Sequence, residues 1–386
     1  MNAPDPRARP LPPIDILTLH GADDGRVFAR QARSLARVCD RVRLVAPGAT
    51  DGLRQGVELV GVRQPKGRLE RLAVTPWLLL ATTARDPAPV VYVHDASMLF
   101  LLPLLALMGR RCVYDAHEDY GNMVRHREWI PAPLRGVAGW GADRYERGLS
   151  RLAVGVATAT APLRSKFPHR RVVTVYNLPT DDHLARGARE QTPAREREFD
   201  LVHLGTLNPR RRAFFASVLE RLFEKRASAR VLIVGAPPDH QRWGRRRFPA
   251  RHLEAVGWVP HDQVPALLGR CRVGVSVHPW LTPHLELAVP VKVFEYMACG
   301  CAVVCSRMPE LDRLLRPRDR RRIAVVDGAD EEAWLATIEE QLEDPDRIDR
   351  HAARLRAGLA ERYGWSGEEG KLLAFFREFT SGRRDG

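Results

Sequence analysis

The chain has 386 residues, which is too long for one ordinary domain and predicts two domains of roughly 150 to 200 residues each. Its hydrophobic content of 45% is that of a globular protein with buried cores, and it excludes disordered, collagen-like and disulfide-scaffold classes. The net charge of +14, carried mainly by arginine, indicates contact with anions such as phosphates, nucleic acid or an acidic membrane, with an arginine-biased genome as the alternative explanation.

Residues 1–13 are proline-rich and polar, which predicts a disordered tail without a signal peptide. Apolar runs then alternate with amphipathic stretches over residues 14–180, as expected for a parallel sheet with helices on both faces. The longest apolar run, 98–108, is too short to span a bilayer and predicts a buried helix. The protein is therefore expected in the cytoplasm, at most as a peripheral protein at the inner membrane face. The predicted strands of this N-terminal domain are 14–19, 42–46, 57–62, 90–94, 112–115, 152–157 and 172–176.

The charge-rich stretch 181–198 predicts an interdomain linker. The alternation resumes over 199–365, and residues 366–386 predict a C-terminal helix for which a return to the first domain is one placement. Two consecutive units of this kind predict an α/β fold of two Rossmann-like, doubly wound domains facing across a cleft. Ligands in such sheets bind beyond the carboxyl ends of the strands. The strands predicted in the second domain are 200–204, 230–234, 253–256, 273–277, 302–305 and 323–326.

Metal binding has little support in the sequence. The six cysteines lack CxxC spacing and several fall in strand-like apolar runs, which indicates buried free thiols, with Cys299 and Cys301 as a weaker metal-binding alternative. Asp344 and Asp346 form an Asp-x-Asp pattern, but Asp-Pro between helical stretches is a turn and cap signal. No metal site is predicted.

A glycine-ended strand and an arginine-rich helix start open the second domain. The predicted strand ends at Gly205, Thr206 follows, and Pro209 suits the first helical turn. The helix start supplies free backbone N–H groups and the positive end of the helix dipole, and arginines 210–212 add full charges. This segment predicts a diphosphate site, and a solvated basic helix start explains it equally well.

Lys292 and Glu295 are three residues apart near the start of a predicted helix, so they share one face. A cation that binds phosphate beside a carboxylate that accepts from ribose hydroxyls suits a nucleotide. On the local pattern alone, a surface ion pair is the favoured interpretation.

Polar side chains also follow strands of the first domain. His117 and Glu118 come after the strand that ends near Asp115, and His94 and Asp95 end another strand. They predict a polar site at one edge of the sheet, with helix capping as the alternative.

The loop from Gly21 to Gly25 follows the first strand and precedes Arg26. It is a candidate loop for phosphate or acceptor. It does not have the GxGxxG pattern, and a plain turn explains it equally well.

The order of these features resembles retaining glycosyltransferase family 4 (glycosyl transferases group 1), whose members adopt the GT-B fold. The resemblance covers about residues 14–365, and its most specific part is PVKVFEYMACGCAVV at 290–304. The other matching segments are VYVHD at 91–95, VYDAHE at 113–118, VYNLP at 175–179, LVHLG at 201–205, VLIVG at 231–235 and VGWV at 256–259.

The resemblance implies roles for individual residues. Glu295 would bind the nucleotide ribose, Arg211 and Lys292 would bind the donor diphosphate, and His117 would face the transferred sugar. Gly21 and Arg26 match the family's loop and arginine near the donor phosphate and the acceptor.

Two positions depart from the family pattern. Eight residues before Glu295, where many members carry a second glutamate, this chain has Leu287, and the nearest acid is Glu286. Thr206 stands where many members carry arginine directly after the glycine. The expected diphosphate contact therefore shifts to residues 210–212 and Lys292.

The family implies transfer of a sugar from a nucleoside-diphosphate sugar to a hydroxyl of a sugar or lipid-linked acceptor. Retention at the anomeric carbon, no metal or other cofactor, and a role in glycan, polysaccharide or glycolipid synthesis are implied as well. One alternative is a nucleotide-sugar epimerase of the same fold.

Another alternative, from a different class, is a basic nucleic-acid-binding protein, suggested by arginine clusters at 242–251 and 316–322. The sequence contains no known nucleic-acid-binding module, so no nucleic acid is expected. The clusters could instead dock on an anionic membrane.

Overall fold

The computed structural model describes residues 10–127, 129–189 and 192–380. The chain divides into two compact units: unit 1 contains the residues up to Asn177 and those from Ser366 onwards, and unit 2 extends from Leu178 to Trp365. Residues 1–9 of the predicted tail and residues 381–386 of the predicted C-terminal helix lie outside the described residues.

Unit 1 is built on an eight-stranded sheet. Its strands are β1 (Ile14–Thr18), β2 (Val42–Pro47), β3 (Gly52–Arg54), β4 (Val57–Val62), β5 (Val90–His94), β6 (Arg111–Ala116), β7 (Gly155–Thr158) and β8 (Val172–Thr174). They lie in the order β3-β4-β2-β1-β5-β6-β7-β8, and every pairing is parallel except that of β3 with β4. β1, β2 and β5 are buried along their whole length because helices cover both faces of the sheet. Apart from the edge strand β3, this is the doubly wound order, with its switch point between β1 and β5.

The helices of unit 1 connect these strands. A π-helical segment, Val27–Ala32, precedes the first of them, and 3-10 segments occur at Ala96–Leu101, Ala132–Leu134 and Ser150–Leu152. The α-helices are α1 (Arg33–Ala36), α2 (Arg68–Ala73), α3 (Thr75–Arg85), α4 (Leu102–Leu107), α5 (Tyr120–Arg125), α6 (Arg135–Leu149) and α7 (Ala161–Arg164).

Unit 2 is built on a six-stranded, fully parallel sheet. Its strands are β9 (Phe199–Leu204), β10 (Val231–Val234), β11 (Leu253–Ala255), β12 (Cys271–Ser276), β13 (Ala302–Ser306) and β14 (Ile323–Val326). The order β11-β10-β9-β12-β13-β14 is again doubly wound, with the switch point between β9 and β12. The predicted α/β class with two Rossmann-like domains is therefore confirmed.

The helices of unit 2 lie between and after these strands. They are α8 (Asp181–Arg189), α9 (Pro209–Lys225), α10 (Pro238–Arg247), α11 (Val264–Leu268), α12 (Pro283–Glu286), α13 (Val291–Ala298), α14 (Pro309–Leu314), α15 (Pro317–Arg320), α16 (Glu331–Glu343), α17 (Pro345–Arg356) and α18 (Leu359–Tyr363).

The segment 181–198, predicted as a linker, has a different structure. Residues Asp181–Arg189 form helix α8, and Ala194–Glu196 form a 3-10 turn, both within unit 2. Leu184 and Gly187 are buried in α8, and a side chain at Gly187 would meet the Cys299 sulfur at 2.8 Å. Close packing against the end of α13 therefore orders a segment whose charge suggested a solvated linker.

The last described helix is α19 (Trp365–Thr380), whose residues from Ser366 onwards belong to unit 1. The Phe376 ring meets the Tyr92 ring of β5 edge-on, with 5.2 Å between centroids. The Phe375 ring fills the space beside Gly155, where a Cβ would come within 2.5 Å of it. These aromatic contacts attach α19 to the sheet of unit 1.

All six cysteines are free thiols, and five of them are buried. Asp344 caps α17 by accepting from the Arg347 N–H at 2.9 Å, and Asp346 forms an ion pair with Arg195. The first aspartate of the Asp-x-Asp pattern is therefore a helix cap, as predicted.

Candidate functional site

The switch point of unit 2 is formed by the ends of β9 and β12. Gly205, directly after β9, has φ +86°, a left-handed conformation that favours glycine. A Cβ on Gly205 would lie 3.8 Å from the Lys292 ammonium nitrogen. The lysine of α13 and the glycine of β9, predicted separately, therefore meet in space.

Lys292 is held by the backbone of β9. Its ammonium group donates to the Leu204 carbonyl oxygen, while the Leu204 N–H donates to the Tyr296 hydroxyl at 2.9 Å. That hydroxyl in turn donates to the Val275 carbonyl of β12 at 3.1 Å. Burial, followed by the nearby Arg211 charge, lowers the pKa of Lys292 to about 8, with Glu295 acting in the opposite direction.

Arg211 lies in the first turn of α9, where the Asn208 side chain caps the helix by accepting from the Arg211 N–H at 2.8 Å. The Arg211 guanidinium (Nη1) lies 3.2 Å from His278 Nε2, just beyond the end of β12. Burial, with the Arg211 and Lys292 charges, lowers the pKa of His278 to about 3, so its imidazole is neutral near pH 7 and accepts from Arg211.

The two cations of this cluster have no ion-pair partner among the described residues, although the Glu295 charge acts on Lys292 from one helical turn away. Burial alone accounts for the lowered pKa of Arg211. The Arg211 charge helps to lower the pKa of Lys292, and two cations beside a helix N-terminus favour an anion. The forked donors of the guanidinium suit phosphate oxygens.

Glu295 lies one turn after Lys292 on α13 and is buried. Its carboxylate is 3.8 Å from His183 Nε2 of α8, and the His183 ring stacks on His261 with 4.2 Å between centroids. No ion pair joins Lys292 to Glu295 within the described chain, so the surface-pair interpretation, favoured from the local pattern, was wrong.

Two further predicted donor-binding residues are exposed: Thr206, which follows Gly205 after β9, and Glu286 at the end of α12. Leu287, at the position where the family pattern has its first glutamate, is half-buried. No ion pair joins Glu286 to Lys292 within the described residues, and a donor-binding role for Glu286 stays a prediction.

Unit 1 has a pocket of about 230 Å³ at its own switch point. His20 follows β1, Asp95 follows β5 and His117 follows β6, so the pocket lies where a doubly wound sheet binds ligands. Asp95 has φ +105°, a strained value for a residue other than glycine, and it caps the next helical segment through the Ser97 N–H at 3.0 Å. The lining residues are His20, Arg71, Asp95, Ala96, Tyr114, Asp115, His117, Glu118, Tyr120, Met123 and Arg127.

Asp115, at the end of β6, organises the wall of this pocket. It accepts from Arg26 Nε at 2.8 Å and Nη2 at 2.7 Å, and from the Tyr92 hydroxyl at 3.2 Å. The Nδ1 atoms of His94 and His117 lie 3.1 and 3.2 Å from its carboxylate. Burial alone would raise the pKa of Asp115, but the Arg26 charge and the hydrogen bonds hold that pKa well below its usual range.

His117 is the partly exposed histidine of this network, with 21% of its side chain accessible. Burial acts to lower the pKa of His117, but the Asp115 carboxylate outweighs it and raises that pKa. The bond from Nδ1 to Asp115 fixes the ring and leaves Nε2 for the pocket. His94 is fully buried, and burial lowers its pKa.

The structure places Arg26 within the wall of the unit 1 pocket, and its predicted contact with donor phosphate stays a prediction. The guanidinium is buried, forms a bidentate pair with Asp115 and also donates to the Val175 carbonyl at 3.1 Å. Because these bonds use its charge inside unit 1, it positions Asp115 and His117. Gly21 is exposed and is not among the residues that line the pocket.

Sequence reasoning missed His278, Tyr296, His20 and Arg71. His278 directly follows a predicted strand, the signal that identified His94 and His117. The position of Tyr296 inside the most specific segment gave no indication that its hydroxyl joins two strands.

Two groups of histidine and carboxylate side chains are close enough to hold a cation: His94, Asp115 and His117, and His183, His261 and Glu295. In the first group, the Arg26 guanidinium already occupies the carboxylate in a bidentate pair, which opposes binding of a second cation.

Residues 210–368 match the family described as Glycosyl transferase-like. The structure is similar to that of sucrose-phosphate synthase from Thermosynechococcus elongatus, with 16% sequence identity and a TM-score of 0.72, covering 96% of this chain and 99% of that chain. It is also similar to Anabaena HepE in complex with UDP and glucose, with 15% identity and a TM-score of 0.67 over 95% of this chain and 100% of that chain. A third similar structure is that of α,α-trehalose 6-phosphate synthase from Burkholderia multivorans, with 12% identity and a TM-score of 0.67 over 97% of this chain and 99% of that chain.

These similarities show that the chain has the GT-B fold. No protein of curated function matches the sequence significantly. In the part of the chain that the structure describes, no helix combines the length and the apolar character needed to cross a membrane.

Proposed function

We propose that this protein is a retaining glycosyltransferase that moves a sugar from a nucleoside-diphosphate sugar to an acceptor hydroxyl. The observation that carries the proposal is the pair of cations at the switch point of unit 2, Lys292 and Arg211, neither of which forms an ion pair with a described carboxylate. The match of residues 210–368 to a glycosyltransferase-like family supports the same conclusion.

Transfer from such a donor places negative charge on the leaving diphosphate. Lys292, Arg211 and the N-terminus of α9 are positioned before the reaction, so they stabilise that charge without reorganising. Glu295, one helical turn from Lys292, is the proposed acceptor of hydrogen bonds from the ribose. In this mechanism the two cations take the role that a metal plays in other transferases.

Unit 1 contributes the pocket that His117 lines. Asp115 orients His117, so that Nε2 can donate to a sugar hydroxyl in the pocket. We propose that the transferred sugar and the hydroxyl of a sugar or lipid-linked acceptor bind through unit 1. The leaving phosphate takes the acceptor proton, and the anomeric configuration is retained.

The test is release of nucleoside diphosphate from UDP-, GDP-, ADP- and TDP-sugars in the presence of a panel of sugar and lipid-linked acceptors. Acceptor-dependent release, with a product of unchanged anomeric configuration by NMR, is expected. Conversion of donor without any acceptor would instead indicate an epimerase or hydrolase, and an inverted product would overturn retention. The absence of turnover with every donor and acceptor would count against the whole proposal.

A further inference from the structure

Unit 1 has a set of large apolar side chains that are exposed to solvent and do not pack in its core. Three tryptophans are at least half exposed: Trp77 at 50%, Trp129 at 59% and Trp140 at 61%. Single exposed apolar residues are ordinary, but a group of tryptophans and aliphatic side chains on one surface indicates a binding face. The exposed aliphatic residues near them in sequence are Leu69, Leu72, Val74, Leu134 and Val137.

The topology places these residues at one edge of the sheet. Residues 68–77 follow the carboxyl end of β4, and residues 127–144 follow that of β6 through α5. β4 and β6 run parallel through the intervening strands, so both segments begin at the same edge. The Arg68 guanidinium lies 6.0 Å from the Trp129 ring and joins the two segments directly. We call residues 68–77, 127 and 129–144 the apolar rim.

The helices of the apolar rim are only partly packed on unit 1. α2 has no buried residue, although it carries Leu69 and Leu72. Leu134, Val137 and Trp140 follow one another at helical spacing and form a stripe along the start of α6. Such amphipathic helices, with one apolar face open to solvent, are typical of proteins that bind at a lipid interface.

Basic side chains accompany the apolar ones. Residues 68–77 and 127–144 together contain five arginines and no lysine against three carboxylates. The Arg144 guanidinium lies 6.0 Å from the Trp140 ring, as Arg68 does from Trp129. Tryptophan with a flanking arginine suits the interface, where the ring enters the headgroup region and the guanidinium binds lipid phosphate.

We infer that the apolar rim docks unit 1 on an anionic lipid bilayer. The arginine clusters at 242–251 and 316–322 are poorer candidates, because they lie in unit 2, where Trp258 is the one exposed large apolar side chain among the described residues. Arg71 and Arg127, which both belong to the rim, also line the pocket of His117. Docking therefore places the mouth of that pocket at the lipid surface, which suits a lipid-linked acceptor.

The inference rests on the surface of unit 1 and not on transferase activity. Its test is flotation of the full chain with vesicles of phosphatidylcholine mixed with phosphatidylglycerol, and with vesicles of phosphatidylcholine alone. We expect binding to the anionic vesicles that weakens as salt is added. The double variant Trp129→Ser with Trp140→Ser should lose at least tenfold in bound fraction. Trp258→Ser changes a tryptophan of unit 2 that is 72% exposed, more than either of those two rim tryptophans, and should bind like the wild type.

A second variant separates docking from misfolding. Arg68→Gln with Arg144→Gln removes charge from exposed positions and should weaken binding to anionic vesicles while the melting temperature stays unchanged. No binding of the wild type to anionic vesicles would overturn the inference, and so would equal binding by the tryptophan double variant. If instead the wild type is a dimer that does not bind vesicles, and the tryptophan double variant is a monomer, the rim is the contact surface for a second copy of the chain.

Discussion

The ammonium group of Lys292 donates a hydrogen bond to the backbone carbonyl of Leu204, the last residue of β9. This bond orients a lysine of α13 towards the turn where the chain leaves the central strand of the unit 2 sheet. It satisfies one of the three ammonium protons, and no described carboxylate forms an ion pair with the ammonium group. The predictions below follow from this arrangement and from the Asp115 network of unit 1.

The affinity of unit 2 for diphosphate should fall as the pH rises through about 8, the value to which burial and Arg211 lower the Lys292 pKa. Below this pKa the ammonium group is charged and attracts the anion, and above it the charge is lost. A bound anion raises the pKa again, so binding at a pH above 8 should take up a proton. Calorimetry with inorganic pyrophosphate in buffers of different ionisation enthalpy measures this uptake. An affinity that does not change with pH, without proton uptake, would rule out a role for the Lys292 charge in binding.

Tyr296→Phe should lower the free energy of unfolding by about 1–3 kcal/mol. The hydroxyl accepts from the Leu204 N–H and donates to the Val275 carbonyl, so its loss leaves two buried backbone groups without this partner. Pyrophosphate affinity should fall as well, because Leu204 anchors Lys292. Urea unfolding and pyrophosphate titration of the same sample provide the two readouts, and unchanged stability would show that the hydroxyl does not join the strands.

Asp115→Asn should destabilise the protein by about 3–5 kcal/mol, because it leaves the buried Arg26 without its counter-charge. The combination of Arg26→Met with Asp115→Leu should cost less than the single change, since no uncompensated charge remains. Chemical denaturation of the three proteins measures both effects. A double variant less stable than Asp115→Asn would contradict this assignment.

The ion pair between Arg26 and Asp115 also predicts how the stability of the folded protein changes at low pH. Asp115 has a depressed pKa in the folded state and an ordinary value of about 3.9 when unfolded. Its contribution to stability is therefore complete above the unfolded value and is lost as the pH falls through the folded value. The difference in stability between wild type and Asp115→Asn should shrink only below about pH 4.

His117→Gln should reduce turnover at least tenfold and leave nucleotide affinity unchanged, because His117 lines the pocket of unit 1 and the cation cluster lies in unit 2. His126→Gln is the matched control, since His126 lies just after α5 and is not among the residues that line the pocket. Steady-state kinetics and nucleotide titration separate the two effects. Equal turnover of the two variants would exclude a role for His117 in the reaction.

The strands of both sheets could be predicted because a parallel strand covered on both faces needs a continuous apolar run, as in β1 and β5. Where burial depends on a distant element, the sequence was a poor guide. Helix α8 has a polar composition, and its order depends on contact with α13, which no local pattern contains. The short edge strand β3 likewise depends on pairing with β4.

For the candidate sites too, the sequence predicted local positions but not contacts between distant residues. Strand ends indicated where His94, His117 and Gly205 would lie, because a doubly wound sheet collects its carboxyl ends at one edge. Pairing between side chains could not be predicted. Arg26 and Asp115 are 89 residues apart, and only the folded sheet shows that they form an ion pair. Likewise, only the structure shows that Arg211 and Lys292 have no ion-pair partner among the described residues.

The central claim, that Lys292 and Arg211 form a nucleoside-diphosphate site, is tested most directly by a thermal-shift panel of UDP, GDP, ADP and TDP, each beside its nucleoside. At least one diphosphate should raise the melting temperature of the wild type, and its nucleoside should not. Lys292→Met should lose the shift, whereas Lys225→Met, an exposed lysine paired with Glu339, should keep it. No shift with any diphosphate, or a full shift in Lys292→Met, would contradict nucleotide binding at this site.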